Sequence, residues 1–339
     1  MGIKRGVSFY SWQQTQFFGK MNWKDMMREL TQVLKTDGIE IINQQTIPHY
    51  PFPSDEFVYD WHNEMARWGA QAITMDVYLD TMRFRDHVMN YAEAAELLKL
   101  DLQLAKKLGF KNVRCLSAVP LEVIAMALPT AEKLDVRIGK EIHSPNPADG
   151  KLVNDIVEFV DKTGTKHVGL VPDMGIFMDK PPRSAMLFNI RRGAHEEAMK
   201  IADECAPFKN AQEIYEERVK KEIPDWNQED IEMGFQLHML SHTDAKLMEG
   251  LVPYIVSIHG KFYEMTEIPG MPGHYEDLAF PYAEAIEYLT KGGYDGYINS
   301  EYEGQRNQQD RGIEFMADEV EEVRRHHEMM ARLIAQYEK

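Results

Sequence analysis

Short runs rich in β-branched and aromatic residues alternate with longer amphipathic stretches along almost the whole chain. The runs at 4–10 (KRGVSFY), 38–42 (GIEII), 71–77 (QAITMDV), 112–116 (NVRCL), 136–142 (VRIGKEI), 167–172 (HVGLVP), 253–259 (PYIVSIH) and 296–301 (GYINSE) predict strands. Between them, apolar residues recur at three- and four-residue intervals, as in Leu97, Leu98, Leu102, Ala105 and Leu108. That period predicts helices near 22–35, 55–69, 87–109, 120–132, 151–163, 281–291 and 311–337, with two or three more across 195–248. Glycines at 109, 164 and 292–293 stand where helices stop.

A strand–helix alternation repeated eight times predicts parallel pairing, because each parallel neighbour needs a crossover. Eight strands also close a barrel whose interior side chains fill it. The rival, a doubly wound open sheet, would carry a glycine-rich phosphate turn after its first strand, and FYSWQQTQFFG has none. The expectation is a (β/α)8 TIM barrel occupying 1–339 as one domain, since no linker, repeat or low-complexity tract divides it. Two segments after strand ends, 174–194 and 260–281, exceed ordinary βα-loop length and are expected to be lids. Together with the helices up to about 250 they form the insertions of the barrel.

Composition narrows the class. At 44% hydrophobic and 27% charged, the chain can bury a large core, and its formal net charge of −17 argues against nucleic acid as a partner. The two cysteines, Cys115 and Cys205, form no metal or disulfide pattern. No stretch reaches eighteen apolar residues, and the opening MGIKRGVSFYSW lacks the apolar core of a signal peptide. A cytoplasmic protein with no membrane partner is expected.

Four consecutive predicted strands bring a hard or borderline metal ligand to the C-terminal mouth, the catalytic face of such barrels. They end in KEIH with Glu141 and His143, in VPD with Asp173, in SIH with His259, and in NSE with Glu301. Alternation puts Glu141 and His143 on one face, and Asn299 with Glu301 on another. Three carboxylates and one imidazole around one axis suit Mn²⁺, Mg²⁺, Co²⁺ or Zn²⁺. In a dry mouth those carboxylates would repel one another without a cation.

With GIEI in the second strand, EIHSPNP after the fifth, PDMGIF after the sixth, SIHGKF after the seventh and NSEYEG after the eighth, the sequence resembles the xylose-isomerase-like sugar isomerase/epimerase barrels. The resemblance implies one divalent metal on Glu141, Asp173, His259 and Glu301. The opening GIKRGVSFYSWQQ, the EIHSP string and the long lids further resemble the catalytic α subunits of bacterial C-glycoside deglycosidases. That resemblance implies Mn²⁺, a small β subunit in a hetero-oligomer, and cleavage of the carbon–carbon bond between an aromatic aglycone and a 3-oxo-glucosyl group. Ketose 3-epimerases of the superfamily carry a second histidine three positions after the strand-six aspartate, where this chain has Ile176.

The chemistry also follows from residue types. A divalent ion stabilises the enolate formed when a proton leaves the carbon beside a ketone. His143 is of the right type to take that proton near neutral pH, and Glu141 and Glu301 could shuttle protons in an isomerase or epimerase, the second reading. A third is a non-catalytic barrel subunit. Tyr10 and Arg306 are candidate substrate contacts. The methionines at 174, 178, 186, 265 and 271 fall in the lids and could wall an aromatic aglycone, although core filling is the commoner role. His238 and His242, four apart, are expected on one exposed helix, and His326, His327 and the acidic run at 318–322 on a solvated face.

Overall fold

The computed structural model describes residues 2–338. Eight parallel strands form the barrel: β1 (Lys4–Ser8), β2 (Gly38–Ile42), β3 (Gln71–Val77), β4 (Asn112–Cys115), β5 (Arg137–Ile142), β6 (Val168–Pro172), β7 (Ile258–Phe262) and β10 (Tyr297–Tyr302). They are hydrogen-bonded in the order β6-β5-β4-β3-β2-β1-β10-β7. Two parallel bridges, Leu170 to Ile255 and Asp173 to His259, nearly close the ring between β6 and β7. Gly169 permits that approach, since a Cβ there would lie 2.3 Å from the Tyr254 carbonyl oxygen. The fold is therefore the expected TIM barrel.

Helices alternate with the strands, and their ends carry the predicted signals. The helix Tyr91–Leu108 starts on a reciprocal cap between Asn90 and Glu93 and stops at Gly109, whose φ of 87° favours glycine. Its buried face, Leu98, Leu102, Ala105 and Leu108, is the apolar stripe read from the sequence. The apolar core lies between the strands and the helix ring, whereas the barrel interior toward its mouth is charged.

Several expectations change. The seventh strand starts at Ile258, because Val252–Tyr254 forms a 3-10 turn around Pro253. His259 is thus near the start of β7, not its end. The segment 174–194 is no open lid: it folds into a turn (Met174–Phe177) and the helix Arg183–Arg192. The segment 260–281 continues β7 and then forms a hairpin, β8 (Met265–Glu267) with β9 (Tyr275–Asp277). Met174, Met178, Met186 and Met265 are buried, and of the lid methionines only Met271 is exposed. The region 196–238 holds four short helices in place of two or three. His238 ends one of them, while His242 lies beyond it at positive φ, so the two share no helix.

His326 and His327 are buried, not solvated. They lie on the inner face of the helix Glu319–Tyr337, where His326 stacks on Phe262 at 4.1 Å and its Nδ1 is 2.8 Å from Ser300 Oγ. In the acidic run, Glu319 is buried and accepts from the Gln14 and Thr15 amides, and Glu322 accepts from Met265. Burial pushes the His326 pKa down to about 3 and also lowers that of His327. The unfolded chain binds these protons first, near pH 6.5. Stability is therefore complete above that pH and falls as pH drops toward 3, by about 1.4 kcal/mol per pH unit for each imidazole. His326→Phe should roughly halve this slope in denaturant titrations between pH 6 and 4. An unchanged slope would show that His326 is not buried neutral.

Candidate metal centre at the barrel mouth

The expected quartet converges. Glu141 comes from β5, Asp173 directly follows β6, His259 is on β7 and Glu301 on β10, and all four are buried. His259 Nδ1 lies 3.3 Å from Glu141 Oε1, 3.5 Å from Glu301 Oε2 and 4.0 Å from Asp173 Oδ2. Donors sharing one ion at bonds of about 2.0–2.2 Å sit roughly 3 to 4 Å apart. Glu301 Oε2 has no hydrogen-bond partner, and Asp173 Oδ2 has only an ion pair, 2.8 Å from Lys261 Nζ. The residues present therefore fit a divalent cation, and Glu141, Asp173 and His259 form one of two buried groups whose geometry could hold one.

Four charged residues around the quartet were not anticipated. Glu40 (β2), Asp76 (β3) and Arg114 (β4) project into the barrel beside it, as does Lys261, two residues beyond His259 on β7. Arg114 NH2 is 2.7 Å from Glu141 Oε1, and its Nε is 3.8 Å from Asp76 Oδ1. Charged residues within GIEII and NVRC were the available signal, since a parallel strand buried on both faces carries no other polar residue without a partner.

The electrostatics follow from this crowding. Burial raises the Glu141 carboxyl, but Arg114 and His259 outweigh it and hold the pKa at about 2. Burial likewise opposes ionisation of Glu301, and His259, Lys261 and Arg114 reverse it to well below the usual range. For Glu40, burial reinforced by Asp76 wins and pushes the pKa up to about 7. Burial disfavours charge on His259 and on Lys261, yet the surrounding carboxylates raise both well above their ordinary values. Glu40, Asp76, Glu141, Asp173 and Glu301 together outnumber Arg114 and Lys261. A protonated His259 supplies part of the missing positive charge, and a cation would supply it more fully.

His143 lies just past β5, above the quartet. Its Nδ1 is 2.7 Å from the Ser144 carbonyl oxygen, which can only accept, and its Nε2 is 2.7 Å from Lys261 Nζ. With Lys261 held charged, only the Nδ1–H tautomer satisfies both contacts, which turns the Nε2 lone pair toward the mouth. A cavity of about 180 Å³ opens there, lined by His143, Met178, Phe235, Met239, Tyr263 and Arg306 among others. Tyr10, in a turn after β1, accepts from Arg306 Nε at 2.8 Å, and Arg306 also pairs with Glu303 at 2.7 Å. These two candidate contacts are therefore joined to each other at the cavity edge. Ile176 is buried and offers the cavity no polar group.

Fold and mouth together define a TIM barrel with a buried cluster of carboxylates around one imidazole at its mouth. Among solved structures, the chain matches a sugar phosphate isomerase/epimerase from Parabacteroides distasonis with TM-score 0.56 and 13% identity, over 100% of this chain and 96% of that one. It also matches the IOLI protein with a bound zinc atom with TM-score 0.58 and 13% identity, over 99% of both chains. In sequence the chain is similar to the 3'-dehydrocarminate deglycosidase alpha subunit of Microbacterium sp., 27% identical over 88% of each chain. It is equally similar, at 27% identity over 98% of this chain and 93% of the relative, to a C-glycoside deglycosidase alpha subunit of Arthrobacter globiformis. No family model matches the chain.

Proposed function

We propose that the chain is the catalytic α subunit of a metal-dependent C-glycoside deglycosidase. In this reading it cleaves the bond between an aromatic, flavonoid-type aglycone and a 3-oxo-glucosyl group. Glu141, Asp173, His259 and Glu301 would hold one divalent ion, with Mn²⁺ the first candidate and Mg²⁺, Co²⁺ and Zn²⁺ the others. When bound, such an ion supplies Lewis-acid stabilisation for negative charge developing on the sugar's keto oxygen.

The chain's own residues do the rest. His143 Nε2 takes the proton from sugar carbon 2, once substrate displaces Lys261 from that lone pair. The electrons left behind delocalise onto the keto oxygen as an enolate. They then form the C1–C2 double bond as the C1–aryl bond breaks, and the aryl carbon gains a proton. Lys261, paired with Asp173 at 2.8 Å and 3.4 Å from Glu303, keeps its charge near the developing oxyanion. Tyr10 and Arg306 bound the sugar, and Met178, Phe235 and Met239 offer the aglycone an apolar wall.

The observation that carries this reading is the convergent quartet with His143 above it, in a chain similar end to end to deglycosidase alpha subunits. A small β subunit is the partner the reading requires. Phe17, Phe18, Ile313 and Phe315 are exposed on or near a groove of about 620 Å³ and would suit its docking. Among the described residues no helix is long and apolar enough to cross a membrane, and the acidic surface disfavours nucleic acid. We place the protein in the cytoplasm and treat 1–339 as one catalytic domain.

The second reading, a sugar isomerase or epimerase, is favoured by the fold alone, and the buried Ile176 weakens it. A substrate panel separates the two. Supplied with Mn²⁺ and the β subunit, the protein should release aglycone from a 3-oxo C-glucosyl flavonoid and leave free ketoses unchanged. Epimerised ketose without aglycone release would reverse the assignment, and neither product would favour a non-catalytic barrel.

A further inference from the structure

The other face of the His259 ring carries a second constellation. His259 Nε2 lies 3.2 Å from Glu40 Oε1 and 3.7 Å from Asp76 Oδ1, both within ion-pair distance, and none of the three atoms is hydrogen-bonded to any other group. All three residues are buried. Glu40 is itself anchored: Asn299 Nδ2 donates to Glu40 Oε2 at 2.9 Å and approaches Ser257 Oγ at 3.1 Å. Asp76 is instead drawn toward the Arg114 guanidinium. Ser257, just before β7, Asn299 on β10 and Glu40 on β2 thus form a chain that ends on the imidazole nitrogen facing away from the quartet.

We infer that Glu40 is a positioning residue: its carboxylate takes the Nε2–H of His259, fixes the ring's rotation and aims Nδ1 into the quartet. A ring held by one nitrogen can turn its other only one way. A carboxylate on the distal N–H also makes the coordinating nitrogen a better donor, an arrangement whose loss weakens metal binding about 10- to 100-fold. The same contact explains an acid in the middle of β2, a strand otherwise made of glycine and isoleucine. This inference rests on the proposed metal centre, but the contact between Glu40 and the ring exists without an ion.

The test uses Glu40→Gln and two readouts. One is the Mn²⁺ dissociation constant by chelator competition; the other is the ¹H–¹⁵N signal of His259 Nε2–H in the metal-free protein, assigned with His259→Gln. The expected result is affinity weakened tenfold or more, together with an upfield move of the ring proton as its carboxylate partner is lost. Glu40→Asp, which keeps the charge on a shorter arm, should fall between the two and stands in if the glutamine variant does not fold. Unchanged affinity overturns the inference. Weakened affinity with an unmoved ring proton also overturns it, because Glu40 would then act by bulk charge. If the wild-type protein binds no Mn²⁺, the metal centre itself fails, and the ring-proton shift alone decides whether Glu40 holds His259.

Discussion

Glu301→Gln or His259→Ala should cost the protein its divalent ion and reduce aglycone release by at least about a thousandfold, the scale of several kcal/mol of lost charge stabilisation. Glu301 Oε2 lies 3.5 Å from His259 Nδ1 with no hydrogen-bond partner of its own, so each change removes a donor from the proposed ligand set. Thermal unfolding gives an independent readout. A ligand at a hundred times its dissociation constant adds about 2.7 kcal/mol of stability, so Mn²⁺ should raise the wild-type melting temperature by a few degrees and leave the variants unmoved. Without metal, Glu301→Gln should unfold earlier than wild type at neutral pH, because His259, Lys261 and Arg114 favour the Glu301 charge that it removes. A variant that still binds Mn²⁺ with wild-type affinity would place the ion elsewhere.

His143→Ala should behave differently. Its ring nitrogens meet the Ser144 carbonyl and Lys261 Nζ and hydrogen-bond no member of the quartet. Metal affinity and the Mn²⁺-induced thermal shift should therefore persist, while kcat falls by about 10²- to 10⁴-fold, the usual contribution of a positioned base. The effect should lie in kcat more than in KM, since the proton transfer exists only in the transition state. If His143→Ala lost metal as well, the residue would belong to the ion's environment and not to proton transfer. If it kept full activity, another group would be the base.

Which parts of this centre could be read from sequence follows from where the signal lies. The strands at 38–42 and 71–77 have the bounds expected, because β-branched runs flanked by turn residues carry both ends. Glu141, Asp173 and Glu301 were legible because they sit at or near the C-terminal ends of their strands, where the barrel's geometry sends side chains into the mouth, whereas His259 reaches the same place from near the start of β7. Glu40, Asp76 and Arg114 were missed for the complementary reason. They lie inside strands buried on both faces, where no polar–apolar alternation says which side points inward. The strand expected at 253–259 was displaced because PYIVSIH is β-rich throughout, while Pro253 holds its first residues in a turn. His326 and His327 were misread from their charged neighbours: Arg324 and Arg325 face outward to Glu29 and Glu321, while the two imidazoles face the barrel. The lids fail as loops for a similar reason, since β8 and β9 are too short to declare themselves and are held by Glu322 and Glu328 from the last helix.

In the proposed reaction the quartet and His143 together remove the proton at sugar carbon 2 so that the aryl group can leave. A 3-oxo C-glucosyl flavonoid carrying deuterium at that carbon, incubated with the protein, its β subunit and Mn²⁺, reports on this step. Aglycone should be released with complete loss of deuterium from the sugar product, with a slower first turnover than for protium and no release after chelation. Aglycone released alongside a sugar that retains its deuterium at carbon 2 would contradict this reaction.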